Sequence, residues 1–149
     1  MIRLAVAALL LAGTPACADP RSDVLAAVDA ALAAVNTNDA ALFETIMLPN
    51  AIIVAQNYKA SDGSLTSKSW SVPEMAERLR TPGRKIDERR TETTVMIRND
   101  LAHVWAEYTL DLDGKRLHCG IDSFGLVKED GHWRLSSLTW TAEPNGCPK

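Results

Sequence analysis

The sequence predicts an α+β domain, with three N-terminal helices followed by an antiparallel strand meander. Three observations carry this expectation. Leu25, Val28, Leu32 and Val35 recur at helical spacing in the first third of the chain. From Lys85 onward the apolar period changes to two. Two Asp-Gly pairs, Asp113-Gly114 and Asp130-Gly131, then divide the second half at hairpin spacing. Helices first and a strand meander afterwards is the α+β order. With 149 residues, four Trp and 46% hydrophobic residues, the chain can build one real core and is too short for two.

Residues 1–18 read as a secretory signal peptide. Arg3 supplies the positive start and Leu4 to Ala12 the short apolar run. Gly13 and Pro15 break that run, and Ala16-Cys17-Ala18 offers small residues for cleavage after Ala18. The run is too short for a membrane span. Removal of 18 of the 149 residues leaves a domain of 131, residues 19–149. The rival reading lipidates Cys17. Thr14 stands where lipoprotein signals usually carry an apolar residue, which favours simple secretion to the periplasm or beyond. Of three cysteines, Cys119 and Cys147 then remain, and an even pair in an oxidising compartment points to a disulfide. The alternative is a buried thiol at Cys119 and a frayed one at Cys147.

Each element has its own signal. Ser22 is the expected N-cap of the first helix, which Asn36-Thr37-Asn38 ends. A second helix runs from about Asp39 to Met47 and stops before Pro49. Ala51 to Ala55 reads as a strand, and Ser61 to Ser64 as a loop or hairpin turn. Ser71 and Glu74 form a capping-box pattern for the third helix, with Pro73 in its first turn and Thr81-Pro82-Gly83 after it. Four strands follow at 85–97, 101–112, 115–128 and 132–142, with turns at Asn99-Asp100 and the two Asp-Gly pairs. Ile86 to Thr94 is polar on both faces and reads as overhanging the core.

Unbroken hairpins from these turns place Trp105 and Thr139 opposite Asp122, Glu107 opposite Gly120, Thr109 opposite His118, Ser137 opposite Phe124 and Leu135 opposite Leu126. One face then runs from apolar to polar. His118 and Asp122, four residues apart, are separated by about 13 Å along the strand, and Glu107 lies diagonal to both at about 7–8 Å. Gly120 leaves space between them. Asp122, Glu107 and His118 are therefore the candidate acid–base groups. Trp105, Thr109, Gly120, Phe124, Leu135, Ser137 and Thr139 are the expected pocket lining. A carboxylate on a mostly apolar face has its pKa raised. The plainer alternative is that these polar groups only bind or brace.

Other classes find no support. Net charge is −3, and the basic stretch Arg78 to Arg90 is broken by Asp87 and Glu88, which argues against nucleic acid. His103 and His132 lack partners at metal-ligand spacing. There is no phosphate-binding Gly loop, nucleophile elbow or Cys–His signature, so no cofactor is expected.

The layout resembles the nuclear transport factor 2-like (NTF2-like) superfamily, which implies a cone-shaped fold with the three N-terminal helices packed on a curved antiparallel sheet and a pocket between them. The stretch "LAHVWAEYTLDLDGKRLHCGIDSFGLVKEDGHWRLSSLTW" and the closing "NGC" resemble its SnoaL-like, lumazine-binding branch. Most members of that branch have no assigned activity. Ketosteroid isomerases share the fold and an Ile-Asp-x-Phe run, matched by Ile121, Asp122 and Phe124, whose Asp donates a hydrogen bond in the oxyanion hole. That resemblance implies that Asp122 faces the pocket. Ala31 and Ala55 stand near the positions of the isomerases' catalytic Tyr and base, so steroid isomerisation is not implied. The resemblance therefore leads to an exported small-molecule-binding domain. The alternative is a cofactor-free lyase, isomerase or hydrolase using Asp122 with Glu107 or His118. A homodimer stays open.

Overall fold

A computed structural model describes residues 19–81, 83 and 85–148. The expected signal segment lies outside these residues. Helix α1 (Pro20–Thr37) starts earlier than Ser22. Pro20 suits the first helical position, where no N–H is needed, so Asp19 is the N-cap and accepts from the Arg21 N–H at 3.1 Å. Asn38 closes the helix in the left-handed region at φ 56°. Helix α2 (Ala40–Ile46) is capped by Asp39, which accepts from the Leu42 N–H at 2.9 Å.

Strand β1 (Met47–Tyr58) is longer than the run from Ala51 to Ala55. Its irregularity between Met47 and Ile52 contains Pro49, which cannot donate to a ladder. Strand β2 (Leu65–Trp70) has no counterpart in the sequence reading. Its residues, LTSKSW, lack apolar alternation because it is an exposed edge strand. Helix α3 (Val72–Arg80) carries the capping box, with the Ser71 N–H donating to Glu74 at 2.7 Å and the Glu74 N–H to Ser71 Oγ at 3.4 Å.

The remaining strands are β3 (Ile86–Arg98), β4 (Leu101–Leu112), β5 (Lys115–Glu129) and β6 (His132–Ala142). Both Asp-Gly pairs have positive φ at both residues, as tight hairpins require. The sheet order is β2-β1-β6-β5-β4-β3, antiparallel except for the β1–β6 pair. The three helices cover one face. Phe43, Met47, Val104, Phe124, Leu126 and Leu135 are buried between the layers with Val24 and Val28 of α1.

Bulges decide which residues face the helices. One lies between Leu110 and Asp111 in the β4–β5 pair, one between Gly125 and Leu126 in the β5–β6 pair, and one between Arg90 and Thr93 in the β3–β4 pair. One extra residue reverses the facing of everything beyond it. The turn pairs Leu112 with Lys115, but past the first bulge Ala106 pairs with Asp122 and Tyr108 with Gly120. Leu135 pairs with Leu126, whereas Trp140, not Thr139, pairs with Asp122.

Cys119 and Cys147 form a disulfide with Cα atoms 5.5 Å apart. It pins the C-terminal tail to β5 beside the Cys119–Glu143 bridge. Among the described residues, no helix is long and apolar enough to cross a membrane.

Candidate functional site

A cavity of about 370 Å³ lies between the helices and the covered face of the sheet. Phe43, Phe124, Leu138, Trp70 and Trp140 supply apolar wall, and Glu88, His118 and Asp122 supply polar wall. The two tryptophans stack with ring centroids 5.6 Å apart.

Asp122 is only 1% exposed, the one buried charged residue among the described ones. Its place is set by alternation along β5, between His118 and Phe124 on the inward face. No N–H or O–H donor of the described residues reaches its Oδ2. Its carboxyl instead meets that of Glu88, on β3, in a side-chain hydrogen bond. Two carboxyls bond to each other only when one keeps a proton. Burial, then the Glu88 charge, raises the pKa of Asp122 well above the usual carboxylate range. Burial also pushes Glu88 up to about 7, opposed by the bond that it accepts from Asp122. The two carboxyls therefore share one proton, and the pair titrates as a unit.

Glu88 was hidden in the segment Ile86 to Thr94, which reads from sequence as overhanging the core. Asn36, from the end of α1, pairs with its backbone like a strand partner. The Glu88 N–H donates to Asn36 Oδ1 at 2.7 Å, and Asn36 Nδ2 donates to the Glu88 carbonyl at 2.8 Å. Glu88 keeps some accessible surface because it lines the cavity.

Tyr108 is a second site residue with no signal of that role in the local sequence pattern. Its ring crosses Gly120, and its hydroxyl lies 2.7 Å from the Thr141 carbonyl and 3.0 Å from His118 Nδ1. A carbonyl only accepts, so the single phenolic proton goes to Thr141. Nδ1–H of His118 must then donate to the Tyr108 oxygen. This fixes the tautomer and leaves Nε2 as an acceptor. Burial lowers the His118 pKa, which keeps the ring neutral. Burial, then the charges of Asp122 and Glu88, raises that of Tyr108.

Gly120 lies beneath this ring at φ 154°. A Cβ there would come within 2.2 Å of the Thr141 carbonyl oxygen and 2.6 Å of its Oγ1. Gly120→Ala should therefore cost about 2–3 kcal/mol through overpacking and backbone strain. Urea denaturation measures it, and a loss under about 0.5 kcal/mol would show that the strand simply shifts.

The structure separates the residues that an unbroken register brings together. His118, Asp122 and Phe124 line the cavity. Gly120 faces inward under Tyr108, and Leu135 is fully buried in the core. Trp105, Glu107, Thr109, Ser137 and Thr139 lie on the opposite, outer face, because the bulges shift β4 and β6 by one residue against β5. Trp105 is 50% exposed there. Glu107 is therefore no neighbour of Asp122, and Glu88 holds that place. Among the described residues, no three His, Cys, Asp or Glu side chains are grouped to hold a metal ion.

No protein-family model and no curated protein matches the sequence. Solved structures do match. A protein of unknown function from Mycobacterium tuberculosis aligns at TM-score 0.67 and 16% identity, over 85% of this chain and 76% of that one. An NTF2-like protein from Cytophaga hutchinsonii aligns at 0.66 and 13%, over 83% and 98%. An NTF2-like protein of unknown function from Pseudomonas putida aligns at 0.65 and 11%, over 85% and 95%. Three helices on a curved six-stranded sheet, a cavity between them and these superpositions together identify the fold of this chain as NTF2-like.

Proposed function

We propose that the protein is an exported small-molecule-binding domain whose ligand occupies the cavity above β5. The observation that carries this reading is the acid pair Asp122–Glu88. It is a desolvated polar group kept in a cavity wall where apolar residues would stabilise the fold more. The cavity volume falls in the range of about 300–1,000 Å³ typical of ligand sites. Export is supported by the signal-type pattern of residues 1–18 and by the disulfide. The reading includes a homodimer, supported by Met96, Leu101 and Trp105 exposed on the outer sheet face.

A second reading is a cofactor-free acid–base enzyme. It is favoured by the proton-sharing pair Asp122–Glu88 and the neutral His118 as acceptor lining one cavity. Glu107 plays no part in it.

Native mass spectrometry of protein exported by and purified from its source tests both. The expected spectrum shows a chain beginning at Asp19, in dimers, with a small molecule released on denaturation. Ligand-free protein from every preparation would remove the binding reading. Recovery of an added candidate ligand in chemically altered form would favour the enzyme.

A further inference from the structure

The cavity is polarised. Its inner wall holds the acid pair, and its mouth holds two cations, Lys68 of β2 and Arg78 of α3, both exposed. Neither is ion-paired among the described residues, although the chain carries 19 acidic residues. The Arg78 guanidinium is held over the Trp70 ring, 5.4 Å from its centroid. Its charge is thus kept at the rim rather than left to sweep through solvent. Lys68, two residues before Trp70, points to the same side of β2.

The sheet register sets the spacing. Lys68 pairs with Ala55, Ala55 with Trp140, and Trp140 with Asp122. Lys68 and Asp122 thus lie in one row, three strand spacings or about 14 Å apart along the sheet. The chord across the curved surface is shorter. Between them lie Trp140 and its stacking partner Trp70, with Phe124 and Leu138 in the next row.

Resting on the reading of this cavity as a ligand site, we propose that its ligand is a ring-containing hydroxy acid. Its carboxylate lies at the mouth between Lys68 and Arg78. Its apolar body lies along Trp70 and Trp140, and its hydroxyl reaches Asp122 and Glu88. A hydroxyl is the group that suits the inner wall, because it both donates and accepts. It can donate to the Glu88 carboxylate or to Nε2 of His118, and it can accept from the pair when both carboxyls are protonated. A second carboxylate at that end would repel the pair, and a purely apolar end would leave it unsatisfied. Opposite polarity at the two ends also fixes the ligand's direction of entry.

The test is a set of three probes read by quenching of tryptophan emission: a biphenyl carboxylic acid with a hydroxyl on the far ring, its methyl ester, and the same acid with methoxy in place of hydroxyl. The acid should bind at least about tenfold more tightly than the ester, the weight of one charge-assisted hydrogen bond. Added salt should weaken the acid and not the ester. The advantage should vanish in a Lys68→Gln/Arg78→Gln variant, and the methoxy acid should bind about tenfold more weakly than the hydroxy acid. Equal binding of acid and ester, or an advantage that survives the double variant, would overturn the proposal and leave the binding domain standing. Silence from all three probes while source-purified protein retains a ligand has the same meaning. Silence together with ligand-free protein from the source would overturn both.

Discussion

As pH rises from about 4 toward neutrality, the buried acid pair should make the fold progressively less stable, because the folded protein holds on to a proton that the unfolded chain has released. Unfolded carboxyls release their protons near pH 4, and each pH unit over which the folded state keeps an extra proton is worth about 1.4 kcal/mol. Asp122 has its folded pKa raised well above that value, first by burial and then by the Glu88 charge. The sign follows directly. The folded state binds more protons than the unfolded state, so stability is highest below pH 4 for this group and falls as pH rises toward the folded pKa. Asp62, Glu74 and Asp87 have lowered pKa values, through hydrogen bonds from Ser64, Ser71 and Arg89, and act in the opposite direction. They are surface groups common to wild type and variant, so a difference measurement removes them. Asp122→Asn keeps a donor for Glu88 and takes away the titrating proton. Its stability relative to wild type should rise between pH 5 and pH 8, as read by urea denaturation at both. A variant that tracks the wild-type slope, or that loses ground at pH 8, would mean that Asp122 is held as a charged carboxylate by donors.

Loss of the Cys119–Cys147 bond is expected to cost roughly 3–4 kcal/mol. In the chain-entropy model this is the effect of freeing the loop that the bond closes, whose ends are 28 positions apart. The native tail has other anchors. Arg116 donates to the Pro148 carbonyl at 2.9 Å and Asn145 to the Ala60 carbonyl at 3.1 Å. These hold the tail against β5 and the β1–β2 connection in the folded state, so the penalty comes mainly from the unfolded chain gaining freedom. A Cys119→Ser/Cys147→Ser variant should therefore unfold at lower denaturant while its folded fluorescence stays the same. Thiol counting on unreduced, denatured protein comes first. Two free thiols would end this account, and an unchanged midpoint in the double variant would show that the bond adds no stability.

The site itself shows how far local pattern reaches. Asp122 could be located on the inward face because β5 alternates cleanly from His118 through Phe124 to Leu126. Glu88 could not, because the polar run around it carries no alternation. Its orientation is imposed by Asn36, 52 positions earlier in the chain. The facing of β4 was available in principle. Ala102, Val104, Ala106 and Tyr108 form an apolar set against Leu101, His103, Trp105 and Glu107, and burying the second set would desolvate a charge. An unbroken register from the turn points the other way, because the bulge between Leu110 and Asp111 leaves no mark on that apolar pattern.

The amino-acid sequence by itself determined the order of the elements other than β2, the helix cap at Ser71, the hairpin turns and the α+β class. These rest on interactions spanning a few residues: a side chain satisfying a helix N–H, an Asp-Gly pair accepting positive φ, an apolar period. The tertiary structure alone decided which carboxyl meets Asp122 and which aromatics wall the cavity. Those depend on single-residue bulges and on packing between segments distant in the chain. A bulge hardly changes the local pattern, yet it reverses every side chain beyond it, because the facing of a strand alternates with a period of two.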